Sequence, residues 1–445
     1  MPSSVDDKIV KPLRIVIPAP SLTSTGGIQN FVAGLASYLA RQGHYVCLFT
    51  PSKEGTTPRF SYDTAVHFVQ YNSSGLQKYT VELRKKIIEY APDVVIAPYS
   101  TAEVLVWCAA LKDTNIPLLY SEHNDPWIIM QNRWSKTDRE AVLWAADGIH
   151  TLMPNFVDSI PESCRQKTRP IYNPLALLLD YSTEAVSTPT ENCYTLLSLG
   201  RLTRIHKQIH LLIAAFAMLA QEFPQWKLDI WGIGSDEKNL QKQIAALPQE
   251  FQERVRLCGL AKTPTEQYST ADIFCIPSRF EGFGLTITEA MIHGVPVVGF
   301  ADCSGVNGLV HHEENGLLAP EMTPESLAGE LRRLMEDTQL RQSLGQQAKD
   351  FAEGFRPERI YPQWEELIYK TAACKGRTRL SLIDSEDIPE NERPYQATMR
   401  KVLERPNVVK DIWYRRRLRQ WIRKQPQSAS MINALLRKLN LAIID

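Results

Sequence analysis

Short apolar runs alternate with amphipathic stretches along most of this chain, and that alternation predicts its architecture. Leu13 to Ala19 (LRIVIPA) is an apolar run of strand length, and YVCLFT, AVHFVQY, DVVIAP, PLLYSEH and DGIHTL follow in the same style. Between them, Phe31, Leu35, Tyr38 and Leu39 recur at helical spacing. Further helices are predicted from about Gln77 to Tyr90, Ala102 to Lys112 and Lys136 to Ala146. Near-continuous apolar strands separated by helices imply a doubly wound parallel sheet, whose ligands bind beyond the carboxyl ends of the strands. After TRPIYNPL the pattern stops, and the polar segment from Leu179 to Cys193, broken by Pro189 among threonines, has a linker's composition. It then resumes with a strand and a long amphipathic helix in YTLLSLGRLTRIHKQIHLLIAAFAML, followed by the strands KLDIWG, RVRLCG, ADIFCIP, VPVVGFA and NGLLAP. The pattern therefore divides the chain into Rossmann-like domains over residues 1–177 and 194–354, a helical segment over 355–373 and an extension over 374–445.

A length of 445 residues agrees with two domains, and 44% hydrophobic with 22% charged residues is the make-up of a water-soluble globular chain. Eight cysteines without a CxxC pair or a close Cys/His cluster indicate neither a zinc site nor a disulfide framework. No apolar run reaches membrane-spanning length and MPSSVDDKIVKP lacks the apolar centre of a signal peptide, so a cytoplasmic location is expected. Formal net charge is zero, but its distribution is uneven. From Thr398 to Asp445 there are 12 basic and 3 acidic residues, which leaves 38 basic against 47 acidic residues in the body. Within that tail Tyr414, Leu418, Trp421 and Ile422 share a helical face among arginines, and Ile432, Leu435, Leu436 and Leu439 resume the spacing. Such a basic amphipathic segment suits an anionic membrane surface, and a helical cap packed on the body is the competing reading. Nucleic-acid binding is not expected, since no recognised nucleic-acid fold is present.

The candidate chemistry lies in loops that follow strands. PSRFEGFGLTITEAM, from Pro277 to Met291, places Glu281 and Glu289 with seven residues between them, around a glycine-broken loop and the start of a helix. A loop of this kind brings backbone amides and a helix N-terminus to an anion, while the two carboxylates can accept from separate sets of hydroxyls. A polyol phosphate would satisfy all of these groups; an ordinary strand-to-helix connection carrying two solvated glutamates would read the same. Arg201 and Lys207 flank the next helix start and suit a diphosphate, or are solvated cations near a turn. Gly26 and Gly27 open the first helix, and Gly232 and Gly234 form a GxG after a strand, a weaker signal. His123 stands directly after the strand PLLYSE, with Asp125 close enough in sequence to orient it.

The pair of acids about this loop resembles the signature of the retaining GT-B-fold glycosyltransferases of family four. The resemblance covers most of Leu13 to about Ala373. It implies two Rossmann-like domains facing a central cleft, with the segment FRPERIYPQWEELIYK as a crossover helix that returns to the first domain. It also implies that Glu281 contacts the donor sugar and Glu289 the ribose, that Arg201 and Lys207 hold the donor diphosphate, and that His123 hydrogen-bonds the sugar near the reacting centre. Phe283, Gly284, Leu285 and Thr286 then belong to the donor site, with Gly26 and Gly27 beside the diphosphate and the acceptor. One departure is Gln208, where the family usually has glycine after the lysine. The implied reaction moves a hexose or N-acetylhexosamine, with a UDP-sugar favoured as donor, onto a glycan or lipid-linked acceptor with retention and without a metal or other cofactor. The enzyme would work in the cytoplasm or peripherally on the inner face of the membrane. A sugar-nucleotide epimerase or phosphorylase of the same fold, or a silent scaffold of a glycan assembly complex, would share parts of this pattern.

Overall fold

The computed structural model describes residues 11–24, 26–51, 56–71, 78–131, 133–175, 193–261 and 264–404. Seven parallel strands form the first sheet: β1 (Arg14–Pro18), β2 (Tyr45–Thr50), β3 (His67–Gln70), β4 (Val94–Ala97), β5 (Leu118–Glu122), β6 (Gly148–Thr151) and β7 (Thr168–Pro170), in the order β3-β2-β1-β4-β5-β6-β7. Six more form the second: β8 (Tyr194–Leu199), β9 (Trp226–Trp231), β10 (Val255–Gly259), β11 (Ile273–Ile276), β12 (Val297–Phe300) and β13 (Gly316–Ala319), ordered β10-β9-β8-β11-β12-β13. Every pairing is parallel, with Ile15 opposite both Val46 and Val94, and Leu196 opposite both Leu228 and Ile273. The apolar runs dictate this: β4 (VVIA) and β11 (IFCI) are buried along their whole length, as central strands covered by helices on both faces must be.

Each sheet reverses its winding direction at one place, between β1 and β4 in the first and between β8 and β11 in the second. A crevice opens there beyond the carboxyl ends of the strands, because the connections on either side lead away from each other. The loops after β8 and β11, which carry Arg201, Lys207 and Glu281, flank the second crevice.

The domains are joined by more than the linker. The helix Pro357–Ala372 follows the second domain in sequence, yet its Ile360, Trp364, Leu367 and Ile368 are buried against Leu13, Ile15, Phe31 and Leu119 of the first. Trp364 is fully buried, so this helix is part of the first domain's core.

The first part of the expected extension also packs on the body. Helices Arg379–Asp384 and Arg393–Glu404 bury Ile383, Met399, Val402 and Leu403 with Trp107, Val142 and Leu143 of the first domain. Arg379 pairs with Asp147 at 2.9 Å, and Trp144 Nε1 donates to Glu392 at 2.7 Å. The amphipathic stretches after Asp411 lie outside the described residues.

Candidate active site

Backbone contacts build the second crevice before any side chain is considered. The amide of Gly200 donates to the Trp231 carbonyl, that of Leu202 to Ile233, and that of Arg279 to His206, which ties the loops after β8, β9 and β11 together. A Cβ on Gly232 would lie 1.8 Å from the Gly200 oxygen, and one on Gly234 would lie 2.1 Å from the Leu202 oxygen. The GxG glycines are thus required by the packing of one loop on another, whether or not a ligand approaches them.

Lys207 and Glu281 meet in this frame. Lys207 Nζ donates to Glu281 Oε1, which also accepts from Ser278 Oγ at 2.7 Å, and the lysine stem lies against Gly200. Arg201 is exposed on the same loop. The helix expected to start at Lys207 does begin here, but in two pieces with a break between them: Arg204–Lys207 forms one turn, Gln208 takes a left-handed conformation at φ 47°, and the main helix runs from Ile209 to Leu219. The break directs Lys207 back toward the crevice. Glycine would adopt this backbone without the Cβ penalty that Gln208 bears.

Gly284, also left-handed at φ 67°, caps the helix Leu285–Ile292 and points its first amides toward the same crevice. Thr286 is half-buried in its first turn. The Phe283 side chain turns the other way, into a cluster with Tyr172 and Phe355, so only its backbone faces the loop. Glu289 is buried, accepts from Tyr268 Oη at 2.8 Å, and is held above the usual carboxylate range by burial.

The first domain closes the site from the other side. A Cβ on Gly282 would come within 2.8 Å of the His123 carbonyl oxygen, and one on Gly27 within 3.0 Å of Leu285 Cδ1. Gly26 is the extended residue before the first helix, Gly27–Arg41. Ser304 Oγ donates to Asp125 at 3.3 Å and Asn155 Nδ2 donates to the Ser304 carbonyl at 2.9 Å, both across the cleft. The backbone of His123 therefore lies against the Glu281–Gly282 turn. Burial, with a smaller contribution from neighbouring His150, holds its imidazole well below the ordinary value, so the ring is neutral.

Asp125 does not orient His123. It accepts from the amide of Trp127 at 2.8 Å as the N-cap of the helix Pro126–Met130, and it also accepts from Ser304. The partner of His123 is Ser121, two residues earlier and near the end of the strand that His123 follows, at 2.8 Å. Alternation along a strand puts residues i and i+2 on one side, a signal the sequence did contain. Behind it lies His150 on β6, which no sequence spacing connects to His123. A small cavity beside Gly27 and Leu285 is lined by Asn30, Asn173 and Tyr361, whose Oδ1, Oδ1 and Oη atoms are buried without a partner among the described residues.

Two Rossmann-like domains that face each other across a cleft in this way define the GT-B class. Family models match the chain in tandem, Glycosyltransferase Family 4 over residues 25–176 and Glycosyl transferases group 1 over residues 183–351, and the chain is a glycosyltransferase of this group 1 and family 4 kind. It is 27% identical over 356 residues to an uncharacterized glycosyltransferase of Haemophilus influenzae, covering 78% of this chain and 98% of that protein. Among solved structures, sucrose-phosphate synthase from Thermosynechococcus elongatus superposes with a TM-score of 0.66 at 22% identity, over 81% of this chain and 99% of that one. HepE from Anabaena, in complex with UDP and glucose, gives 0.65 at 20% identity, over 80% and 99%.

Proposed function

We propose that this enzyme transfers a hexose or N-acetylhexosamine from a UDP-sugar to a hydroxyl of a glycan or lipid-linked acceptor, with retention at the anomeric carbon, in the synthesis of a cell-surface polysaccharide. The observation that carries the reading is the meeting of Lys207 and Glu281 at the β8/β11 switch point, opposite His123. Breaking the bond from the anomeric carbon to the diphosphate leaves charge on the phosphate oxygens. Lys207, Arg201 and the first amides of the helix Leu285–Ile292 are the groups that would stabilise it. Because these cations and amides meet the charge, the reading includes no metal or other cofactor. On donor binding Lys207 would exchange its Glu281 oxygen for a phosphate oxygen, freeing the carboxylate to accept from sugar hydroxyls. Glu289, held by Tyr268, would accept from the ribose.

HepE, of the same fold, is known with UDP and glucose, which supports the choice of donor class. The basic segment beyond Glu404 would hold the enzyme at the cytoplasmic face of an anionic membrane, where a lipid-linked acceptor resides. Among the described residues no helix is long and apolar enough to cross a membrane.

The test is incubation with UDP-glucose, UDP-N-acetylglucosamine or GDP-mannose and a panel of glycan and lipid-linked acceptors. Nucleoside diphosphate release should depend on acceptor, and proton NMR of the product should show the donor's anomeric configuration. An inverted product would remove retention, and acceptor-independent conversion of the nucleotide-sugar would favour an epimerase.

A further inference from the structure

Behind His123 runs a hydrogen-bond chain whose polarity can be read from one end. His150 Nε2 lies 2.7 Å from the carbonyl oxygen of Ile171, and a carbonyl only accepts, so this nitrogen carries a proton. In a neutral imidazole the other nitrogen is then bare, and His150 Nδ1, at 2.9 Å from Ser121 Oγ, must accept from that hydroxyl. The one hydroxyl proton is thereby committed. Ser121 Oγ can only accept from His123 Nε2, at 2.8 Å, so His123 carries its proton on Nε2 and a lone pair on Nδ1. No hydrogen bond joins that Nδ1 to a described residue.

The chain is held on all sides. Ser121 and His150 are fully buried on adjacent strands, paired directly in the sheet register. The His150 ring packs on Trp364 at 4.2 Å and the His123 ring on Phe31 at 4.6 Å. Burial keeps both rings uncharged, with His150 lowered to about 3, so the one-proton bookkeeping holds at neutral pH.

We propose that Ser121 and His150 are positioning residues that lock His123 in its Nε2–H tautomer, so that His123 Nδ1 accepts a hydrogen bond from a hydroxyl of the donor sugar. The identity of the ligand rests on the glycosyl-transfer reading; the tautomer does not. The donor must then carry a hydroxyl that gives its proton to His123, and fluorine at that position, which cannot donate, should not replace it.

The experiment uses the full chain labelled with 15N-histidine, with His123 assigned by the signal lost in His123→Gln. Two-bond proton–nitrogen correlation at pH 7 should show the Nε2–H pattern for His123 in the wild type. Ser121→Ala should mix the two tautomers and Ser121→Thr should restore one. With whichever of UDP-glucose, UDP-N-acetylglucosamine or GDP-mannose is turned over, Ser121→Ala should lower kcat by roughly tenfold, the effect of one lost hydrogen bond, at unchanged nucleotide affinity. An Nδ1–H or doubly protonated His123, or a tautomer indifferent to Ser121→Ala, overturns the relay while leaving the transfer reading standing. The expected tautomer with no turnover of any of the three donors overturns the sugar-facing half and the transfer reading, and leaves the relay.

Discussion

Gln208 shows how one backbone angle can matter more than a side chain's chemistry. A non-glycine residue at φ 47° is strained, and the buried Gln208 Oε1 has no partner among the described residues. Gln208→Gly should therefore raise stability by about 1 kcal/mol, read as a higher midpoint in urea, with nucleotide binding retained. A fall in the midpoint would show that the side chain supports Lys207. Glu289 gives a second residue-scale outcome. Since burial raises its folded pKa, the native state keeps a proton that the unfolded chain has already released. This stabilisation is present below the unfolded value, near 4.3, and is lost as pH rises through the folded one. Thermal unfolding of Glu289→Gln, which has no such proton to lose, should show a growing advantage over the wild type as pH rises from about 4, while its affinity for nucleotide falls. A constant difference across pH would mean that Glu289 is not desolvated in the folded protein.

At the scale of elements, strands were legible because central parallel strands need only be short and apolar, and each expected run became one. The break at Gln208 was not legible, because RIHKQIH has no helix-breaking residue and the turn is imposed by the loops it meets. The acids and cations of the site could be named because loops after strands carry them. Their partners Ser278, Tyr268 and His150 could not, since each pairing depends on how separate elements dock. Gly282 belongs with these. It sits in the expected motif, yet what demands glycine there is a carbonyl from the other domain. Gly282→Ala should push the His123 loop away from the Glu281 loop, lowering turnover by on the order of tenfold or more with stability and nucleoside diphosphate affinity little changed. Equal turnover in the variant would show that the two loops need not approach this closely.

For the whole molecule, the position at which the chain can be cut follows from the core. Helices Arg379–Asp384 and Arg393–Glu404 complete the first domain's core, so ending the chain at 373 should expose Trp107, Val142 and Leu143 and yield aggregated protein. Ending it at 404 should give a folded enzyme, active on a soluble acceptor, that does not sediment with anionic liposomes, whereas the full chain should sediment with them at low salt. Persistent sedimentation of the chain ending at 404 would move the membrane contact to the two domains.

The proposed transfer requires a nucleoside diphosphate to bind between the loops after β8 and β11. Titration calorimetry with UDP and GDP on the wild type, Arg201→Ala and Lys207→Ala measures this without knowledge of the acceptor. One UDP per chain is predicted, bound roughly tenfold or more weakly by each variant at unchanged thermal stability, since charge-assisted hydrogen bonds to phosphate are lost while exposed cations contribute little to folding. Binding of neither nucleotide, or equal affinity in all three proteins, would contradict it.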